Sequence, residues 1–118
     1  MRRRSSDSVK IFYPKYDKEF IVRHVKMKMA EVPKEIEIHK VILFGSYAKG
    51  NYTAASDIDL LIVYKGRLDR GEVYNIIWDI LDLSNLQLHI YKYEDFKEML
   101  RDKNSFIMEV LRTGIKIL

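Results

Sequence analysis

Residues 41–64 read VILFGSYAKGNYTAASDIDLLIVY, and the layout of this stretch decides the fold. An apolar run stops at Gly45-Ser46, a polar connection follows, and Asp57-Ile58-Asp59 opens a second apolar run beginning at Leu60. Both runs are short, rich in Val and Ile and bounded by turn residues, which favours buried strands over helices. Successive side chains of a strand point to opposite faces, so Asp57 and Asp59 project together. Two carboxylates held side by side repel unless a cation sits between them. Mg²⁺ takes oxygen ligands and is commonly held by one or two carboxylates plus phosphate oxygens. At the end of the first strand Gly45 permits close backbone approach, and a helix beginning at Ser46 would turn free N–H groups toward an anion. A metal clamp and an anion cradle on neighbouring strand ends describe a nucleotide site.

Gly45-Ser46, ten intervening residues, then Asp57-x-Asp59 on a strand resembles the signature of the DNA polymerase beta-like nucleotidyltransferase superfamily. GSYAKG followed by SDIDLLIV is most similar to the minimal nucleotidyltransferases, which are small catalytic domains. The likeness is specific over residues 41–64; elsewhere only the order of elements agrees. It implies an α+β nucleotidyltransferase fold, a small mixed β-sheet flanked by helices. It also implies catalytic, metal-binding roles for Asp57 and Asp59, with Gly45, Ser46 and Lys49 on the phosphates. Lys49 could equally be solvated. The cofactor would be Mg²⁺ or Mn²⁺ and the substrate an NTP, ATP being expected. The reaction would move NMP to a hydroxyl of a protein or small molecule.

The family pattern adds a third carboxylate on the next strand, and this chain has none there. His89 stands at the expected position, with Gln87 the alternative. An imidazole brings no negative charge and hard Mg²⁺ prefers oxygen, so His89 as a metal ligand would suit Mn²⁺ better. This departure supports a second reading, a catalytically weakened, antitoxin-like regulatory subunit that binds nucleotide. Minimal nucleotidyltransferases work beside small helical proteins of the HEPN type, so the resemblance implies such a partner, with adenylylation of a partner tyrosine one expected outcome. A homo-oligomer stays open.

A chain of 118 residues makes one domain, expected over residues 9–118 after a basic arm at 1–8. The formal net charge of +4 owes three charges to Arg2, Arg3 and Arg4, so the body is nearly neutral and a nucleic-acid-binding reading is disfavoured. No cysteine is present, which excludes a disulfide scaffold and a Cys-ligated zinc site. No apolar run suits a membrane span or a signal-peptide core, so a cytoplasmic location is expected.

In chain order, residues 9–13 read as a short edge strand or a loop. Asp17 caps a helix over 17–32 with Phe20, Ile21, Val25 and Met29 on one face, ended by Pro33. The first central strand covers 36–44. Tyr47 and Tyr52 either stack on a base or pack locally. A helix over 69–83 carries Val73, Ile76, Ile77 and Ile80 on one face. Its second face, Tyr74, Trp78 and Leu81, is either buried or a partner surface. The third strand, from Leu86 to about residue 93, alternates Leu88 and Ile90 against Gln87, His89 and Tyr91, the polar face being turned toward the site. Helices over 94–101 and 104–113 follow, then Gly114 as a helix cap and a terminal strand over 115–118. His24 and His39 read as packing or surface residues.

Overall fold

The computed structural model describes residues 16–118, so the basic arm and the expected strand over 9–13 lie outside the described residues. The described elements are α1 (Lys18–Met29), β1 (Glu37–Phe44), α2 (Ser46–Lys49), β2 (Ile58–Lys65), α3 (Arg70–Leu81), β3 (Leu86–Lys92), α4 (Tyr93–Arg101), α5 (Ser105–Thr113) and β4 (Ile115–Lys116). The four strands form one sheet in the order β3-β2-β1-β4. β1 runs antiparallel to β2 and to β4, whereas β2 and β3 are parallel. The sheet is therefore mixed, and the α+β class expected from the sequence holds.

Strand alternation divides the core in two. Val41, Leu43, Leu60, Ile62 and Tyr64 join Ile21 and Val25 of α1 and Val73, Ile77 and Leu81 of α3 in the larger cluster. Ile42, Leu61 and Val63 point the other way, into a smaller cluster with Phe96 of α4 and Ile107 and Val110 of α5. β2 is covered on both faces, which is why residues 60–64 are apolar without a break.

Local chemistry sets the helix limits. Asp17 accepts from Phe20 N–H at 2.7 Å at the start of α1, and Asp69 and Glu72 close a reciprocal capping box on α3. α1 ends at Met29 instead of reaching Val32. The next three amides bond to carbonyls three residues back, because Pro33 disfavours helical backbone at the residue before it. α3 ends at Leu81, where Asp82 turns left-handed at φ 48°. Leu81, expected beside Tyr74 and Trp78, is instead fully buried, since 73, 77 and 81 form one i, i+4 row against the sheet. Tyr74 and Trp78 stack on each other with ring centroids 5.9 Å apart and stay exposed. Gly114 has φ −79°, so no left-handed cap requires it. A Cβ there would sit 2.4 Å from Ile42 Cγ2 and 2.6 Å from the Val110 oxygen, so close approach of α5 to β1 is what excludes a side chain. His24 Nε2 donates to the Leu81 carbonyl at 2.8 Å, tying α1 to α3. No helix among the described residues is long and apolar enough to cross a membrane.

Candidate active site

The end of β1 and the start of β2 meet because the two strands are antiparallel, and Phe44 pairs directly with Asp59. Gly45 follows at once, with φ +76° and ψ −152°, a region essentially open only to glycine. A Cβ at this position would lie 2.4 Å from Asp59 Oδ2. The glycine is thus required twice, by its backbone angles and by the carboxylate packed against it. This contact joins the two halves of the sequence pattern physically.

α2 is a single turn beginning at Ser46, and Gly45 offers no side chain to cap it. The first amides of such a turn have no intrahelical acceptor. Gly50, left-handed at φ +85°, ends the turn by donating to the Ser46 carbonyl at 3.0 Å. Lys49 lies at the end of this turn and is exposed. Tyr47 is buried and stacks on Tyr52 at 4.3 Å, so these rings pack locally instead of standing free for a base. The 53–56 turn is closed by Thr53 N–H donating to Ser56 Oγ at 2.8 Å and Ala55 N–H donating to Thr53 Oγ1 at 3.2 Å. That turn delivers Asp57 to the strand start.

Asp57 is exposed and immediately precedes β2, while Asp59 is half-buried inside it. Burial pushes the Asp59 carboxyl above the ordinary carboxylate value; a positive His89 would pull it down, and the nearby Asp57 charge adds to the rise. The pair is therefore close enough to interact.

β3 runs beside β2 in parallel, with Asp59 paired to Gln87 and Leu61 to His89. Paired residues share a face, so Gln87 stands beside the carboxylate and His89 one step deeper. His89 is edge-on to Phe44 at 5.3 Å and 5.2 Å from Phe106 of α5. Phe44 and Phe106 also meet, at 5.5 Å, closing an aromatic triangle under the acid pair. The polar face of β3 does look toward the site, as the alternation implies. Among the described residues, however, no group of three or more His, Cys, Asp and Glu side chains could hold a metal ion. Asp57 and His89 are the charged neighbours that act on the Asp59 carboxyl. The register puts His89 opposite Leu61, and its ring is packed against two phenylalanines. Phe106 comes from a distant helix, and only the register separates Gln87 from His89; neither relation has a local sequence signal.

With this geometry in place, the comparisons with known proteins are specific. The model of the Polymerase beta, Nucleotidyltransferase family matches residues 28–118. The chain belongs to this nucleotidyltransferase family. Methanocaldococcus jannaschii "Putative protein adenylyltransferase MJ0604" is 73% identical over 44 residues, 37% of this chain and 42% of that protein. "Putative protein adenylyltransferase MJ0141" of the same organism is 34% identical over 106 residues, 82% of this chain and 95% of that protein. The crystal structure of a nucleotidyltransferase, described as putative, from Sulfolobus solfataricus shares the fold with a TM-score of 0.52. It is 20% identical and matches 84% of this chain and 80% of its own. Within the nucleotidyltransferase fold, the strand-end acids and the Gly45-Ser46 turn occupy one end of the sheet.

Proposed function

We propose that this domain is a metal-dependent nucleotidyltransferase that moves NMP from an NTP, ATP being the expected donor, to a hydroxyl on a protein. The observation that carries the reading is the contact of the Gly45 backbone with the Asp59 carboxylate, which joins an anion-binding turn to an acid pair. Ser46 O–H and the first amides of α2 would bind the terminal phosphates. Two carboxylates suit a hard cation, and the open side of the site leaves its other positions to phosphate oxygens. When bound, such a cation neutralises phosphate charge and lowers the acceptor's pKa. The acceptor oxygen then attacks the α-phosphorus, the new P–O bond forms as the bond to pyrophosphate breaks, and the hydroxyl proton leaves to water. Asp57 and Asp59 would hold that cation, and through it the α-phosphate, for the in-line displacement.

Incubating the protein with α-labelled ATP, Mg²⁺ or Mn²⁺, and protein extract from the source cells tests this reading. Labelled protein and released pyrophosphate are expected with the native chain and not with Asp57→Asn. No label with either metal overturns it.

The second reading, a nucleotide-binding regulatory subunit with weakened catalysis, draws on β3, Leu86–Lys92, which carries no acidic residue. Its discriminating variant is Gln87→Asp, because residue 87 is paired with Asp59. That change should tighten Mg²⁺ binding by about tenfold through added ligand charge, whereas His89→Asp, one step deeper, should do less. Titration calorimetry with Mg²⁺ reads both. If Gln87→Asp also raises transfer, catalysis in the native chain is held back by ligand charge; if metal tightens and transfer does not rise, the regulatory reading gains.

A further inference from the structure

Among the described residues β3 is an edge of the sheet. The Ile58 N–H donates to the Asn85 carbonyl at 2.7 Å, and this fixes the parity of the strand. Residues 85, 87, 89 and 91 turn their backbone groups to β2, whereas Leu88 and Ile90 turn theirs outward. Among the described residues no other segment bonds to those outward groups. Alongside them lies a cavity of about 320 Å³, lined by Arg70, Gly71 and Tyr74 of α3 and by residues 88–91.

Three properties of this groove select its occupant. Among the described residues its floor is unpaired main chain, which recognises an extended backbone and little else. Its lining holds one full charge, the Arg70 guanidinium, and no carboxylate. Arg70 belongs to the helix on one face of the sheet, yet it lies 6.0 Å from the ring of Tyr91 on the other, so it reaches round the strand edge and marks one end of the groove. His89, which lines the groove, is paired with Leu61, two residues along β2 from Asp59.

We infer that the free edge of β3 docks the acceptor as an extended, acidic peptide segment, bonded main chain to main chain at Leu88 and Ile90, with Arg70 taking a carboxylate. The inference rests on the proposed transfer to a protein. Strand spacing puts such a segment about 10 Å from β2. A residue opposite Gln87 then projects over the same face as Asp59, so a long hydroxyl side chain spans the gap and a serine falls short.

The test uses the full chain with Mg²⁺ and ATP, and a pool of heptapeptides with central tyrosine and flanks randomised over Asp, Glu, Lys, Val, Ile and Thr. Enrichment of acidic, β-branched flanks is expected. For the best peptide, Arg70→Glu should raise Kd by at least about tenfold, as loss of a charge-assisted bond does, while ATP affinity is unchanged. N-methylation of alternate peptide amides should abolish binding in one parity only, and bound peptide should slow hydrogen exchange at Leu88 and Ile90. Absence of enrichment, preference for Lys flanks or indifference to N-methylation overturns the inference. So does prior protection of Leu88 and Ile90 in the free chain, which would mean that residues 9–13 or a second copy already hold the edge. ATP binding in the same samples separates this outcome from failure of the nucleotide reading, which would show as no ATP binding at all.

Discussion

Gly45→Ala is expected to destabilise the fold and abolish nucleotide binding in a single step. An L-residue at φ +76°, ψ −152° costs about 1–3 kcal/mol in backbone strain alone. The added methyl would also sit 2.4 Å from Asp59 Oδ2 and 3.2 Å from its Cγ, so the carboxylate would have to rotate away from the Gly45-Ser46 turn. Melting should therefore fall by roughly 5–15 °C, and the displaced Asp59 should lose its alignment with the phosphate turn. Gly50→Ala is the matched comparison. Its φ of +85° imposes strain of the same kind, yet nothing lies within 4 Å of its Cβ. It should lower Tm while leaving ATP affinity within about threefold, a factor worth less than 1 kcal/mol. Equal loss of ATP binding in both variants would mean that the Gly45–Asp59 contact is not what organises the site.

Asp59→Asn should separate stability from activity. Transfer should drop by about 10³-fold or more, the scale expected when a group that holds transition-state charge in place is removed. Stability should move the other way. Burial raises the folded-state pKa of Asp59 above the ordinary value of 3.8, with Asp57 adding to the rise against the opposing pull of His89. A raised carboxyl pKa means that the stability linked to this group is complete below the unfolded value and is lost as pH climbs through the folded one. At neutral pH the native chain bears that cost and the Asn variant does not. The gain is on the order of 1 kcal/mol or less because the site is half-open to water. Melting curves at pH 7 and pH 3 should show the variant more stable at the first and equal at the second. A variant less stable at pH 7 would show that favourable contacts hold the Asp59 carboxylate.

The legibility of this fold in the sequence followed the range of each interaction. β1 and β2 were readable because Val41, Leu43, Leu60 and Ile62 are local in sequence and their patterns end in turn residues. The caps at Asp17 and Asp69 act over three residues and were equally plain. Of Tyr74, Trp78 and Leu81 only Leu81 is buried, and a broad apolar stripe does not say which row meets the sheet. Gly114 caps α5 as expected, but the reason a glycine is needed there, the close approach of Ile42, is a tertiary contact. At the site, the spacing of Gly45, Ser46, Asp57 and Asp59 gave the pattern and the structure added the packing that joins it. The aromatic triangle of Phe44, His89 and Phe106 depends on α5 returning over β1, and no window around residue 89 contains that information.

The central claim is that one strand-end site takes metal and nucleotide together. Titration calorimetry of ATP into the full chain, with and without Mg²⁺, measures this directly. With only Asp57 and Asp59 as acids, the protein alone should bind Mg²⁺ weakly, and ATP should strengthen Mg²⁺ binding by the same factor by which Mg²⁺ strengthens ATP binding. A coupling of about 1–3 kcal/mol is expected, and it should vanish in Asp57→Asn and in Asp59→Asn. Tight Mg²⁺ binding without nucleotide, or ATP binding that neither metal nor these substitutions alter, would contradict the account.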